Sequence, residues 1–461
     1  MRTLVARLRR ARTRREHSSR HQWLHQLAEH IMEAQRTSRE YERIVDARRA
    51  WLASHEARGR AEWVAAETWA LASIELAVGH TEPAREIVDT GLGLLTSANW
   101  ETFVTAERAV RELGALDIGR GRPREAAERY ERALPFVTGP EHEAIRLILL
   151  AELAHARLLA WDLPATLDAC AKGLAAARDP TGRLDDPYRA PSSIGATKST
   201  LANRSDLREH VVSLFLSHAS ALAARGSKAE AEDALDEIMA FYRDGLSEEE
   251  QGRTMLLRAW IAYREGDYEE AERRYGELAQ PAIDGDHTAE LVQAALAGLG
   301  WTYVELGMAD EAAGVGKCLL DTGGRNTEAA AIRARAALDR GRLEVAETWA
   351  RRALDDASPL VMSAAHDVLA EVERSRGRLD EAVITARTSV AILCDYIGSE
   401  DPFLCAPLVT LGRIEAELGE ASATDRFAHA LRLRMRPNHP QRRHAKEAFS
   451  ESLPHAARDD L

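Results

Sequence analysis

The chain has 461 residues, of which 45% are apolar and 29% are charged, and it contains only 29 glycines and 15 prolines. These proportions exclude a collagen-like chain and a wholly disordered one, and the lack of a long apolar run excludes a membrane-spanning protein. Aromatic residues make up 5% of the chain, so its core must be built from Ala, Leu, Val and Ile. Such a composition favours helices.

The charge is spread unevenly along the chain. The formal net charge is −13, yet residues 1–20 contain eight arginines and a single acidic residue, Glu16. An acidic body should not wrap nucleic acid over a broad surface. We therefore expect nucleic acid to be touched, if at all, only through this basic tail. The favoured interpretation is a disordered tail, and the alternatives are a contact with nucleic acid, with an acidic partner or with the chain's own acidic body.

The cysteines indicate a reducing compartment. They form no CxxC pair and no zinc spacing, and four cysteines in so long a chain are not a disulfide framework. Residues 1–20 also lack the apolar stretch of a secretory signal. We therefore expect a cytoplasmic protein. The cysteines are Cys170, Cys318, Cys394 and Cys405.

One short phrase recurs from residue 72 onward: a small residue, a glycine seven positions later, and an alanine five positions after that glycine. A last copy, Gly412/Gly419/Ala423, is one residue short. Repetition at a nearly constant spacing is the signature of a repeat architecture. The full copies are Ala72/Gly79/Ala84, Gly114/Gly121/Ala126, Ala219/Gly226/Ala231, Ala259/Gly266/Ala271, Gly300/Gly307/Ala312, Ala334/Gly341/Ala346 and Ala370/Gly377/Ala382.

Each copy predicts two helices joined by a tight turn. The glycine ends the first helix, where it takes a left-handed conformation at little cost. The small residue and the alanine lie where the two helices cross closely. One helix pair cannot cover its own apolar face, so neighbouring pairs must stack.

The phrase resembles the tetratricopeptide repeat over roughly residues 65–440. The C-terminal copies resemble its kinesin-light-chain type, with linkers at Gly398–Pro402 and Asn438–Pro440. This resemblance implies an all-α, right-handed superhelical solenoid of antiparallel helix pairs that binds proteins on its concave side. The copy near Trp161 departs from the pattern, because it has Asp162 and Thr166 in place of the glycine and alanine. The best copy reads Leu113, Gly114, Gly121, Ala126, Tyr130, Ala133 and Leu134.

The phrase and the composition between copies also predict the organisation of the chain. The insertion around residues 178–206 is rich in Pro, Gly and Ser, which marks it as a loop, either disordered or able to bind a partner. The predicted segments are a basic tail (1–20), an N-terminal helical cap (21–64), repeat block one (65–177), a flexible insertion (178–206), repeat block two (207–440) and a C-terminal tail (441–461).

Several motifs mimic catalytic or metal-binding chemistry. Asp-Thr-Gly occurs twice, but near predicted helix ends rather than across a β-scaffold. Two glycine–lysine phrases lack phosphate-loop spacing, and a histidine stripe near the N-terminus fits a solvated helix face better than a zinc site. We therefore predict no enzyme, no metal and no cofactor. The motifs are Asp89–Gly91, Asp321–Gly323, Gly314–Cys318, Gly195–Ser199, and His17, His21 and His25 with Glu29.

One register of the repeat, the residue after the small one, predicts the binding surface. It places Trp260 and Trp301 in neighbouring units, with Tyr263 and Arg264 one turn further on, and Arg335 and Arg413 in later units. Aromatic residues and arginine dominate binding hot spots. Packing between repeats is the competing interpretation of the two tryptophans.

The function predicted from this pattern is that of a non-catalytic adaptor or scaffold, which holds a peptide or partner protein in its concave groove. Two alternatives remain open. The chain is either a regulator that senses a peptide or small ligand, or a regulatory subunit that gates a separate effector enzyme.

Overall fold

A computed structural model of the protein describes residues 80–94, 100–137, 143–177, 199–242, 246–283, 290–355 and 358–452, with a few isolated positions before residue 80. The predictions for the basic tail (1–20) lie outside the described residues. So do those for nearly all of the helical cap (21–64) and for residues 178–198 of the insertion.

All regular secondary structure of the described residues is helical, with no strand among them. Two 3-10 turns, Leu134–Phe136 and Pro402–Leu404, accompany the α-helices. The α-helices are α1 (Thr81–Leu94), α2 (Trp100–Gly119), α3 (Pro123–Ala133), α4 (Glu143–Leu159), α5 (Leu163–Ala177), α6 (Ser199–Ala224), α7 (Lys228–Phe241), α8 (Glu248–Arg264), α9 (Tyr268–Ile283), α10 (Glu290–Glu305), α11 (Ala309–Asp321), α12 (Asn326–Asp339), α13 (Leu343–Ala353), α14 (Pro359–Ser375), α15 (Leu379–Ile397), α16 (Cys405–Glu417), α17 (Ser422–Arg432) and α18 (Pro440–Ser452).

The chain divides into two compact units, one of Met1–Arg157 with Lys172–Val211 and one of Leu158–Ala171 with Val212–Leu461. In the first unit, α1, α2 and α3 pack on one another. In the second unit each helix from α8 onward packs on the next, and α8, α10, α12, α14, α16 and α18 also contact one another in sequence. The alternate helices α8, α10, α12, α14, α16 and α18 therefore form one layer of the stacked helix pairs, and we call it the helix layer. The predicted all-α solenoid of helix pairs is confirmed.

The repeat phrase lies where the sequence predicts it. The phrase alanines of the full copies are fully buried at the helix crossings, as Ala126 and Ala271 illustrate. The small residues are equally constrained, because a methyl group added at Gly300 would lie 2.8 Å from Cδ1 of Ile332. The turn glycines described by the structure all have a left-handed φ of 69–83°: Gly121, Gly226, Gly266, Gly307, Gly341, Gly377 and Gly419.

Two helices extend into segments that the sequence assigned to loops or tails. Helix α6 begins at Ser199, inside the predicted insertion 178–206. Helix α18 occupies Pro440–Ser452, where a C-terminal tail (441–461) was predicted, and its Ala445 and Ala448 are fully buried. Helix α18 carries no copy of the phrase, so the repeat pattern alone does not predict it. Among the described residues, no helix is long and apolar enough to cross a bilayer.

Candidate interaction surface

Helix α8 carries three of the predicted binding residues, and its ends are defined locally. Ser247 and Glu250 form a capping box, in which the Ser247 hydroxyl accepts from the Glu250 amide at 3.2 Å and the Glu250 carboxylate accepts from the Ser247 amide at 2.7 Å. Gly266, with a φ of 72°, ends the helix. Both caps satisfy backbone groups that a helix end leaves unpaired.

The two predicted tryptophans are half-buried. Trp260 and Trp301 pack against the apolar cluster that contains Ala295 and Leu296, and each keeps part of its indole open to solvent. Each ring therefore contributes to packing between repeats and also offers apolar area to a partner. Their role in binding stays a prediction.

Arg264, the third residue of interest in α8, is engaged within the chain. Only 7% of the residue is exposed. Its Nη2 donates to Oδ2 of Asp401 at 3.0 Å and to the Ala224 carbonyl at 3.1 Å, and its Nη1 lies 3.4 Å from Oδ1 of Asp401. Such a two-pronged contact of a guanidinium with a carboxylate is among the stronger side-chain hydrogen bonds.

Aromatic rings surround this ion pair. The Arg264 guanidinium carbon lies 5.1 Å from the ring centre of Trp260, 5.0 Å from that of Phe403 and 5.8 Å from that of Trp161. The rings of Tyr263 and Phe403 are 6.3 Å apart. At these separations a cation is attracted to the ring faces. The structure thus brings Trp260, Tyr263 and Arg264 together with Asp401, Phe403 and Trp161, which the sequence analysis had not assigned to the site.

Trp161 has an unusual backbone. Its φ is 59°, so it occupies the left-handed turn position that glycine occupies elsewhere in the array. Its ring centre lies 6.0 Å from that of Tyr396, and the Tyr396 hydroxyl donates to the Leu159 carbonyl at 2.8 Å. A bulky residue pays a conformational cost at this position. The residue at the glycine position of this copy is therefore Trp161, one position before the Asp162 that the sequence pattern indicated.

The second linker also contacts α8. The Nε2 of His439 lies 3.2 Å from the Arg264 carbonyl oxygen, and the Gln441 amide donates to Nδ1 of His439 at 3.2 Å. This places the imidazole proton on Nε2. The side-chain Nε2 of Gln441 also donates to Oε1 of Glu305 at 3.1 Å. The Tyr268 hydroxyl donates to Oε2 of the same glutamate at 3.1 Å. Burial lowers the pKa of His439 to about 4 and raises that of Glu305.

The remaining predicted residues lie further along the same layer of helices. Arg335 Nη1 donates to Oδ2 of the buried Asp367 at 3.1 Å, and its Nε lies 3.3 Å from Oδ1 of Asp339. Burial raises the pKa of Asp367. Arg413 Nη2 is 3.9 Å from Oε2 of Glu451. Arg335 is therefore held by carboxylates of this chain, whereas Arg413 makes a long contact with an exposed glutamate.

Both Asp-Thr-Gly motifs lie on ordinary helices, whereas His17, His21, His25, Glu29 and residues 195–198 lie outside the described residues. Asp321 ends α11 and is followed by Thr322 and a left-handed Gly323, so this Asp-Thr-Gly phrase is a helix C-terminus. The other phrase, Asp89–Gly91, lies inside α1. In the part of the chain that the structure describes, no three His, Cys, Asp or Glu side chains are grouped to hold a metal ion.

The helices and this surface define an all-helical repeat protein built from stacked antiparallel helix pairs. No protein-family model matches the chain, and no curated protein matches it. Among solved structures, it is similar to the Rap protein complexed with competence and sporulation factor, at 12% identity and a TM-score of 0.41, over 66% of this chain and 80% of that one. It is also similar to a monomeric mutant of IFIT1 with m7Gppp-AAAA, at 13% identity and a TM-score of 0.36, over 80% of this chain and 90% of that one.

Proposed function

We propose that the protein is a non-catalytic interaction scaffold, which binds a peptide or partner protein through the helix layer that contains α8 and α10. One observation carries this proposal: Trp260 and Trp301 occupy the same register of these two helices, and both remain half-exposed. Large rings anchored on a packed core, with one side open, offer apolar area to a partner at little conformational cost.

A second candidate is a regulator whose solenoid responds to a bound ligand. It is favoured by the contact between Arg264 and Asp401, because a ligand that breaks this ion pair also releases the segment before α16 from α8. A regulatory subunit that gates a separate enzyme would use the same device. The scaffold, the ligand-responsive regulator and the regulatory subunit could each act in the cytoplasm. None of the three requires a catalytic group in this chain.

Affinity purification with quantitative mass spectrometry tests the proposal. The bait is the full-length chain, wild type or with Trp260→Ala or Trp301→Ala. We expect both substitutions to reduce recovery of the same partner, with a loss of about 1–3 kcal/mol in binding. A stable protein partner supports the scaffold, whereas a short peptide that copurifies supports the sensor.

Trp349→Ala is the matched control. Trp349 is also half-buried, but it lies on α13, outside the layer of α8 and α10, under the guanidinium of Arg333 at 4.1 Å. This variant should recover the partner normally. Unchanged recovery with all three variants would refute the proposed surface. A steep fall in the melting temperature for Trp260→Ala or Trp301→Ala would show instead that the rings serve mainly to pack the repeats.

A further inference from the structure

The segment Asp401–Phe403 lies on α8 in the manner of a bound peptide. Asp401 presents its carboxylate to the Arg264 guanidinium, and Phe403 presents its ring to Arg264 and Tyr263. The Phe403 amide donates to Oδ1 of Asp401 at 3.0 Å, which fixes the turn between the two side chains. Three consecutive residues thus deliver one carboxylate and one aromatic ring to a single helix face.

Repeat stacking alone does not demand this contact. Asp401 follows Arg264 by 137 positions, and seven complete helices, α9 to α15, lie between them along the chain. In a repeat array each unit needs only its neighbours for stability. A buried charge pair between distant units is also a poor source of net stability, because both charges lose their hydration. The pair is better explained by recognition than by stability.

Trp161 is an independent sign that this face is specialised. A left-handed backbone is unfavourable for a bulky residue, yet a tryptophan with a φ of 59° occupies this position, with its ring beside the Arg264 guanidinium. Backbone strain of this kind is concentrated at binding and switching sites. Trp161 lies outside α8, but its ring lies beside Arg264. We therefore group it with Trp260, Tyr263 and Arg264 of α8 and call the four residues the α8 face.

We infer, building on the proposed function, that the α8 face binds peptides that carry a carboxylate two residues before an aromatic ring. The chain's own Asp401–Phe403 segment occupies this face until such a peptide displaces it. The chemistry of exchange favours this class of partner, since an incoming carboxylate replaces the Asp401 carboxylate bond for bond. A neutral or cationic peptide would leave the buried Arg264 without a counter-charge, which is strongly unfavourable.

The tethered segment sets how tightly a partner must bind. A segment held in the same chain competes at an effective concentration on the order of millimolar. A short peptide of the right chemistry therefore binds the wild type poorly, and a natural partner needs further contacts. Trp301, on the neighbouring α10 of the same helix layer, lies outside the α8 face and offers such a contact.

The test uses a peptide with the sequence of residues 398–404, Gly-Ser-Glu-Asp-Pro-Phe-Leu, in which the phenylalanine carries a photo-reactive benzoyl group. It is cross-linked to the full-length wild type and to the double variant Asp401→Asn/Phe403→Leu, whose own segment is weakened. Cross-links mapped to α8 should increase about tenfold in the double variant. Adding Arg264→Gln should remove the increase, and a peptide with Asn in place of its Asp should give none.

Equal cross-linking of wild type and double variant, with the helical circular dichroism preserved, would overturn the inference. Hydrogen exchange of the wild type covers the case in which the double variant fails to fold. The backbone amides of Phe403, Leu404 and Gln441 should then exchange faster than those of α14, because the segment detaches without unfolding the helices. Equal protection of the two sets of amides would overturn the inference. The peptide assay needs no natural partner. If the peptide assay fails while the Trp260 and Trp301 variants lose the partner, the proposed scaffold function is retained. Only the inference about the chemistry of the bound peptide is then rejected.

Discussion

Trp161 and Gly266 adopt the same left-handed backbone conformation, with φ values of 59° and 72°, at turns between paired helices. Glycine accepts this conformation freely, whereas tryptophan does not. Each turn also lies against another part of the unit: the Trp161 ring lies beside the Arg264 guanidinium, and Gly266 lies against Pro440 and His439. The turn between α4 and α5 therefore has a strained backbone at Trp161. The Trp161 side chain packs on Tyr396 and lies beside Arg264.

Strain at Trp161 predicts an inverted order of substitution effects. Trp161→Ala and Trp161→Gly both remove the ring that packs on Tyr396, but only glycine relieves the backbone. Trp161→Gly should therefore unfold at higher urea than Trp161→Ala, by about 1 kcal/mol in the free energy of unfolding. Gly377→Ala is the matched control: no atom lies within 4 Å of the added methyl group, so its cost, also about 1 kcal/mol, is the backbone term alone. An alanine variant as stable as the glycine variant would argue against strain.

The first unit contains a buried charge network centred on Asp117. This residue is fully buried and accepts hydrogen bonds from Arg129, itself 3% exposed, and from Arg85. Asp117→Ala leaves Arg129 buried beside no carboxylate of comparable closeness, and should cost about 3–5 kcal/mol of stability. Glu82→Ala removes the exposed end of the same network and should cost less than about 1 kcal/mol. Similar losses in thermal melts would mean that the network is not dominated by the buried charge.

The phrase alanines predict steric sensitivity at the helix crossings. Ala126 and Ala271 are fully buried, so Ala126→Leu or Ala271→Leu inserts a bulky group where no volume is available. Each should destabilise the chain by about 1–3 kcal/mol. The exposed Ala229 of α7 offers a control, since Ala229→Leu should leave the denaturation midpoint nearly unchanged. An unchanged midpoint for the buried pair would contradict the helix crossing that the repeat phase implies.

Much of the fold follows from the sequence for a simple reason. The phrase marks a helix end, as at Gly121, and a close helix crossing, as at Ala126. Both features depend on residues within one helix pair, so they recur with every copy of the phrase. The contact between Arg264 and Asp401 could not be predicted in this way, because it depends on small rotations between successive helix pairs that add up over the whole array. Sequence patterns also assign the left-handed position to glycine, so they do not identify Trp161 as a turn residue.

Buried His439 predicts a dependence of stability on pH. Burial, and then the charges of Arg436, Arg442 and Arg264, hold its pKa near about 4, against a usual 6.5, although its bond to the Arg264 carbonyl opposes them. The unfolded chain therefore takes up the proton first as the pH falls. The stabilisation should be intact above the usual pKa and should be lost as the pH falls through the folded value.

His439→Gln tests this linkage, because its amide nitrogen can still donate to the Arg264 carbonyl but cannot titrate. Urea titrations across the acidic range should show a flatter decline for this variant than for the wild type. The decline that remains has another histidine source in the first unit, where burial also lowers the pKa of His210 to about 4. Parallel curves for the two proteins would assign no role to His439.

The cysteines predict a sharp order of chemical reactivity. Cys170 and Cys405 are buried, and burial raises the pKa of each thiol to about 12, whereas Cys318 and Cys394 are partly exposed. Because the thiolate is the reactive form, a maleimide near neutral pH should label Cys318 and Cys394 first. Peptide mapping of the labelled sites checks the order. Early labelling of Cys405, which lies 3.5 Å from the Gln441 carbonyl oxygen, would mean that α18 separates readily from α16.

The contacts that join α8 to the last helices change how the second unit can come apart. An open array of repeats loses its terminal units one by one, because each terminal unit is held by a single neighbour. Here the linkers before α16 and α18 are also tied to α8 through Asp401 and His439, and Gln441 of α18 is tied to Glu305 of α10. Peeling away the C-terminal helices must break both sets of contacts at once. The tie therefore converts a chain of independent neighbours into one cooperative unit, which resists fraying from its C-terminal end.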